Sequence, residues 1–458
     1  MSPADVTRTP APVPRRLSWL TGIVLFTLYT AWSVSLHRRH ETTGFDLGIF
    51  EQAVRGYAGF GRPVADLKAP GFNLLGDHFH PILAALAPVY RLFPGPVTLL
   101  VAQAALIAVS AVPVTRLAIR VTGPAGGVAI GAAYGLSWGL QAAADFDFHE
   151  VAFAVPLLAF SLVALAEQRW RAAVCWAIPL LLVKEDLPAT VAAIGLVLVL
   201  RGRRRAGLAL AAAAIVAGVL IVTVVIPAFN PAETYAYTTG TTAGGRDPFH
   251  RLFAPAEKWR TVLLLLAPTC LVAVRSPLLL IALPTLLWRF WSPNGFYWGT
   301  GFHYSAVLMP IVFVAALDAL PRLSRMPRLS RLLPAAMAGI AVAATFLAPL
   351  PLSGLARPAN WRADPAVHAS NRLLAMIPDG ATVAADNRLA PQLTARCTVY
   401  LFPGRPDGDI RPDWVVYTEP YHLSMATEET VDAALARLRG DYETAAQAGG
   451  TTVLRRRV

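Results

Sequence analysis

The stretch LSWLTGIVLFTLYTAWSVSL, Leu17–Leu36, runs for twenty residues without a charged side chain. At 1.5 Å per residue such a helix reaches about 30 Å, the thickness of the hydrocarbon core of a bilayer. No small-residue cleavage site follows it, so it reads as a retained anchor helix rather than a removable leader. Just beyond comes GFDLGIFEQ, Gly44–Gln52, which sets Asp46 and Glu51 at the edge of the membrane. The meaning of those two acids depends on which side they face and on what else faces it.

The rest of the chain extends the pattern. It has 458 residues, 55% hydrophobic and only 15% charged, whereas soluble domains carry nearer a quarter charged residues. The apolar material is blocked into about eleven predicted spans, near 17–36, 96–118, 124–143, 151–166, 172–183, 187–200, 206–228, 260–274, 277–290, 304–320 and 333–350. The fold class expected is therefore an α-helical polytopic membrane protein. The net charge of +12 would suit a nucleic-acid binder, but its distribution gives another cause. Alternate connecting segments hold Arg8, Arg15 and Arg16; Arg116 and Arg120; Arg169 and Arg171; RGRRR at 201–205; Arg275; and PRLSRMPRLSR at 321–331, in all 16 basic residues and almost no acids. Basic short loops are cytoplasmic. The N-terminal tail, 1–16, is then inside, and the C-terminal region is outside. Three cysteines, Cys175, Cys270 and Cys397, make no disulfide framework.

The remaining segments, 37–95, 144–150, 184–186, 229–259, 291–303 and 351–458, then share the extracytoplasmic side. They concentrate acids and histidines: Asp46 and Glu51; LLGDHFHP with Asp77, His78 and His80; DFDFHE with Asp145, Asp147, His149 and Glu150; KED with Lys184, Glu185 and Asp186; Arg246, Asp247 and His250; and His303 with Tyr304. Charge at a membrane edge is costly unless paired or facing an aqueous cavity. Its recurrence on one side points to a polar site there. Each piece has a plainer reading as well. Asp46 suits the N-cap of a short helix, LGIFEQAVRGY. GDHFHP suits a loop closed before Pro81, DFDFHE an interfacial anchor, and KED a neutralised turn. Trp288, Trp291, Tyr297 and Trp298 suit an interfacial aromatic belt.

From about 351 the composition changes. ATVAAD, CTVYLF and DWVVYT read as short strands and TTVLRRR as a last one. TEETVDAALARLRG, 427–440, reads as a helix with Thr427 at its N-cap. A small α/β domain over 351–458 is expected, following a transmembrane domain over 17–350 whose first outer loop, 37–95, is large.

FDLGIFEQ, LGDHFHPI, DFHEVAFAVPLL, LLVKEDLP and the tail IPDGATVAADNRL…VYLFP, in this order, resemble a family of bacterial multi-pass membrane proteins known as domain of unknown function 2079. That family is similar in layout to the GT-C glycosyltransferases, such as protein mannosyltransferases and aminoarabinose transferases. The resemblance implies a polyprenyl-phosphate sugar as donor, a bacterial inner-membrane location and an acid after the first helix as catalytic base. That acid maps onto Asp46, although Leu47 stands where the mannosyltransferases have Glu. The second acidic loop maps loosely onto Asp145 to Glu150.

On that reading Lys184, His149, His303 and Arg246 are candidates to stabilise the leaving phosphate. Glu51, His78, His80, Glu185, Asp186 and Tyr304 would line the cavity. Asp147, His149 and Glu150 have ligand types suited to Mg²⁺ or Mn²⁺, in a spacing that matches no recognised metal signature. The same outward charges would also serve a transporter or flippase of a polar or lipid-linked substrate, and a non-catalytic scaffold is the third reading. A transporter calls for charges near the midplane and for a repeat with broken helices; the charges here sit at span ends.

Overall fold

A computed structural model describes residues 15–237, 247–323, 325–404, 411–421 and 426–457. The first helix runs Arg15–Arg38. Ser18, Gly22, Leu25, Tyr29, Trp32 and Leu36 recur every three or four residues and form its buried stripe. That stripe packs on the helix Pro96–Gly135, where the Tyr29 hydroxyl donates to the Gly135 carbonyl at 2.6 Å. Trp19, Leu20, Ile23 and Val24 lie exposed on the other face, a disposition that suits lipid and not water.

Each of the eleven predicted spans falls on helical structure. Pro96–Gly135 is two spans joined by a sharp reversal. Gly123 has φ +82° and is followed by Pro124, and the returning segment packs so closely that a Cβ on Gly127 would lie 2.4 Å from the Ile119 nitrogen. Leu187–Leu200 and Arg204–Leu220 pair in the same way, with Gly195 against the Gly207 carbonyl. Such glycine contacts bring helix backbones together where no hydrophobic force drives association. Among the described residues four helices, Arg15–Arg38, Pro96–Gly135, Arg204–Phe229 and Pro327–Leu347, are by length and composition long and apolar enough to cross a membrane. The others are shorter or interrupted. The expected spans 260–274 and 277–290 divide earlier than anticipated, at Cys270 and Leu271, which both adopt left-handed backbone conformations.

The basic segments meet at one end. Arg120 and Arg169 pair with Glu167, Arg201 and Arg322 with Asp318, and the Ser276 hydroxyl donates to Asp318 at 2.6 Å. The acidic and histidine-bearing segments meet at the opposite end.

Beyond the last long helix lies a five-stranded sheet of order β2-β1-β3-β5-β4. Its strands are β1 (Thr382–Ala385), β2 (Thr398–Leu401), β3 (Trp414–Thr418), β4 (Tyr442–Ala448) and β5 (Thr451–Arg456). β1 runs parallel to both β2 and β3, and β5 is antiparallel to β3 and β4. Four of these strands were expected. The edge strand β4 was not, because YETAAQA is largely exposed and lacks the alternation of a half-buried strand. The hairpin signal for it was Gly449–Gly450, both at positive φ. Thr427 caps the helix Glu428–Leu438 by accepting from the Thr430 amide. One face of the sheet shares a core with the first long loop: Leu47, Phe50, Ala53 and Val54 pack with Val383, Leu389, Leu393 and Val399.

Candidate functional site

Asp46 lies in a short π-helical turn, Gly44–Gly48, that runs into the helix Ile49–Ala58. It sits inside the helix and so is not the N-cap that the sequence allowed. The first N–H groups of a helix lack intrahelical partners, and here they are satisfied from afar. The Thr43 amide and hydroxyl both donate to Asp147 Oδ2 at 2.7 Å. The amides of Gly44 and Phe45 donate to the carbonyl and the side-chain oxygen of Asn387, at 2.6 and 2.7 Å.

Asp46 opens into a cavity of about 1200 Å³. His149 Nε2 lies 3.2 Å from its Oδ1, and the Asp46 side chain keeps 28% of its accessible surface. Around it the other outer segments converge. Lys184 Nζ meets Glu150 Oε1 at 2.6 Å, Lys68 meets Asp77 at 2.8 Å, and His78 Nδ1 meets Glu185 Oε1 at 2.5 Å. The hydroxyl of Tyr235 and the amide of Phe79 also donate to Glu185. The rings of Phe146, His149 and His303 stack on one another, the His149 centroid 3.9 Å from that of His303. His303 and His80 are buried, and neither ring has a hydrogen-bond partner. Tyr304 lines the same cavity and packs edge-on against Tyr297.

The electrostatics follow from burial and pairing. Burial alone would raise the carboxyls of Glu150 and Glu185, but Lys184 with neighbouring histidines, and His78 with Lys184, reverse this and hold both near 2. Burial opposes a charged His78, yet Glu185 outweighs it and raises its pKa. Asp147 is buried without a cation in contact, so its carboxyl is pushed up to about 7 despite the two bonds from Thr43. Burial likewise lifts Asp186 to about 6 against the pull of Lys184. His80 is driven down to about 4, and His303 is held neutral by burial and by His149.

Two expectations need correction. Glu51 does not reach the cavity. It is fully buried on the opposite face of its helix, where the Tyr90 hydroxyl donates to it, because the amphipathic helix turns that face into the core shared with the sheet. Asp147, His149 and Glu150 do not converge as a metal set: Asp147 serves Thr43, Glu150 serves Lys184, and His149 faces Asp46. No group of three or more His, Cys, Asp or Glu side chains suited to a metal ion occurs among the described residues. Arg246 lies outside the described residues.

The sequence reading passed over Lys68, which pairs Asp77, and Arg289, which is fully buried. Arg289 donates to the carbonyls of Tyr297 and Gly299 and to Ser305, organising the loop that carries His303. An Arg within the apolar run LLWRFW was the signal for it.

The cavity also has an apolar lining: Ile215, Gly218, Val219 and Val222, from the helical segment Arg204–Phe229, with Leu287, Trp288 and Trp291. The molecule is a helical bundle with an amphipathic cavity beside an acid that follows the first helix. Residues 37–453 match the family described as "Predicted membrane protein (DUF2079)", and the chain belongs to it. The chain is also similar in fold to ArnT from Cupriavidus metallidurans, whose crystal structure is bound to undecaprenyl phosphate. The TM-score is 0.56 at 16% identity, covering 94% of this chain and 97% of that one. No curated protein matches the sequence.

Proposed function

We propose that the protein transfers a sugar from a polyprenyl-phosphate donor to an acceptor hydroxyl at the outer face of a bacterial membrane, with Asp46 as the general base. The observation that carries the reading is the mixed lining of the cavity: Asp46 and paired charges together with the apolar side chains of Val219, Val222, Leu287 and Trp288. A lipid-linked sugar is likewise part polar and part apolar, and ArnT is a fold relative bound to such a lipid phosphate. The outward orientation of the cavity rests on the basic segments, which gather at the opposite end.

In the reaction the acceptor O–H gives its proton to the Asp46 carboxylate as its oxygen bonds to the anomeric carbon. The bond from that carbon to the phosphate oxygen breaks, and its electron pair leaves with the polyprenyl phosphate. Direct attack inverts the anomeric centre. His149 orients Asp46. Lys184, His303 and Arg246 are the candidate donors to the departing phosphate. Lys184 is held by Glu150, which keeps its ammonium charged in a buried site.

The test is to purify wild type and Asp46→Asn in detergent and identify the bound lipids by mass spectrometry. Retention of a polyprenyl-phosphate sugar by the folded variant, with depletion from wild type, supports the reading and names the sugar. Absence of such a lipid from both, with other lipids retained, contradicts it and favours a transporter or scaffold.

A further inference from the structure

In open sheets with parallel strands, ligands bind beyond the carboxyl ends of the strands, at the point where strand order reverses. Here that point lies between β1 and β3, since the chain passes from β1 to β2 on one side and then to β3 on the other. Asp386 and Asn387 directly follow β1 there. Asp386 is spent on the sheet's own loops: it accepts from the Thr418 amide and hydroxyl at 2.7 and 2.6 Å and from the Leu389 amide at 2.8 Å. Asn387 instead receives the amides of Gly44 and Phe45. The crevice that would hold a ligand is filled by the start of the Asp46 helix. The fit is close, since a Cβ on Gly44 would lie 2.6 Å from the Ala390 Cβ. Farther along the same helix, Gln52 donates to the Val399 carbonyl at 2.9 Å, and Arg55 donates to the carbonyls of Thr394 and Cys397 at 2.8 Å each.

We infer that the C-terminal α/β domain is a clamp for the Asp46 segment, in place of a ligand-binding module, and that Asn387 is a positioning residue for Asp46. Phe45, whose amide Asn387 holds, is the immediate neighbour of Asp46. Release of that anchor frees the first turn to shift, and a displacement of about 1 Å at a reacting group can cost about a hundredfold in rate. The catalytic consequence rests on the reading of Asp46 as base. The clamp itself does not, and it is testable without any substrate.

The experiment is hydrogen–deuterium exchange, followed by mass spectrometry, on the full-length protein in detergent. Wild type is compared with Asn387→Ala, Asn387→Asp and Gly44→Ala, and binding of undecaprenyl phosphate is measured in parallel. In Asn387→Ala the amides of 44–48 are expected to exchange at least tenfold faster while β3 and β5 keep their protection. Asn387→Asp, which retains the acceptor oxygen, restores most of the protection. Gly44→Ala loosens the same segment from the other side of the contact. Unchanged exchange at 44–48 in both Asn387→Ala and Gly44→Ala overturns the clamp, whatever the lipid does. If Asn387→Ala also loses protection in the sheet, Gly44→Ala alone decides in the same sense. Faster exchange at 44–48 with no binding of undecaprenyl phosphate by any form leaves the clamp standing and counts against the glycosyltransferase reading.

Discussion

At one end of the bundle Arg201, Arg322 and Ser276 converge on Asp318, and Arg120 and Arg169 on Glu167. At the other, Lys184 meets Glu150, Lys68 meets Asp77, and His78 meets Glu185. Both ends pair their charges. They differ in where the charges sit. Three of the four arginines at the first end reach into solvent, Arg120 at 40%, Arg169 at 59% and Arg322 at 50% side-chain exposure, while Arg201 keeps 21%. Glu150 and Glu185, at 1% and 4%, are buried around a cavity. Exposed pairs tie loops together at small energetic consequence. Buried pairs are costly to assemble and are kept where charge is needed out of water. On the proposed function, the first end is structural and the buried charges of the second serve the reaction.

Removal of one partner from each end sharpens that contrast. Lys184→Met strands the Glu150 carboxylate in a buried site and is expected to destabilise the protein by about 3–5 kcal/mol, read as a fall in Tm in detergent. The double variant Lys184→Met/Glu150→Met recovers most of that loss. Next in size is Gly195→Val, which drives a side chain into the Gly207 carbonyl, 2.6 Å from an ideal Cβ. It should cost about 1–3 kcal/mol by overpacking, checked by the same melting curve.

Asp147 gives a pH-dependent test. Its folded pKa of about 7 stands above the ordinary 3.8, so the folded chain holds this proton more tightly than the unfolded one. The stabilisation is fully present below about pH 4 and is lost as pH rises through 7. Asp147→Asn, which stays neutral throughout, is expected to raise Tm by a few degrees at pH 8 and to change it little at pH 4. The reverse trend, a variant weaker at pH 8, would show the ionised carboxylate to be the stabilising form. The smallest effect belongs to the other end: Arg322→Ala should cost less than about 1 kcal/mol. A loss as large as that of Lys184→Met would erase the distinction between the two ends.

How much of this was legible in the sequence varies by region. The helical segments on which the eleven predicted spans fall, and the gathering of acids and histidines at one end, follow from hydropathy and from alternating basicity, because both are properties of consecutive residues. Asp46, His149, Lys184 and His303 were visible as polar residues at span ends, and the cavity brings all four together. What was hidden depends on which way a helix is turned. Glu51 lies five positions after Asp46, which on a helix points it elsewhere, but only the packing of Leu47 and Val54 against the sheet settles that it is buried. Asn387 lies in IPDGATVAADNRL, one of the stretches that carry the family resemblance, but nothing there marked it as a contact of the Asp46 segment, because its bonds to Gly44 and Phe45 cross more than 340 residues of chain, counted from Phe45 to Asn387 as 342. Lys68 looks in sequence like an ordinary basic residue, and Arg289 was marked by its apolar run alone; the roles of both come from partners elsewhere in the chain.

The most direct test is photo-cross-linking with a photoactivatable polyprenyl-phosphate analogue in proteoliposomes, with the labelled peptides mapped by mass spectrometry. The account predicts labelling at 214–223 and 284–291, the segments that give the cavity its apolar lining, and its suppression by excess undecaprenyl phosphate. Labelling spread evenly over the outer surface of the bundle, or concentrated near Arg201 and Asp318, would contradict it.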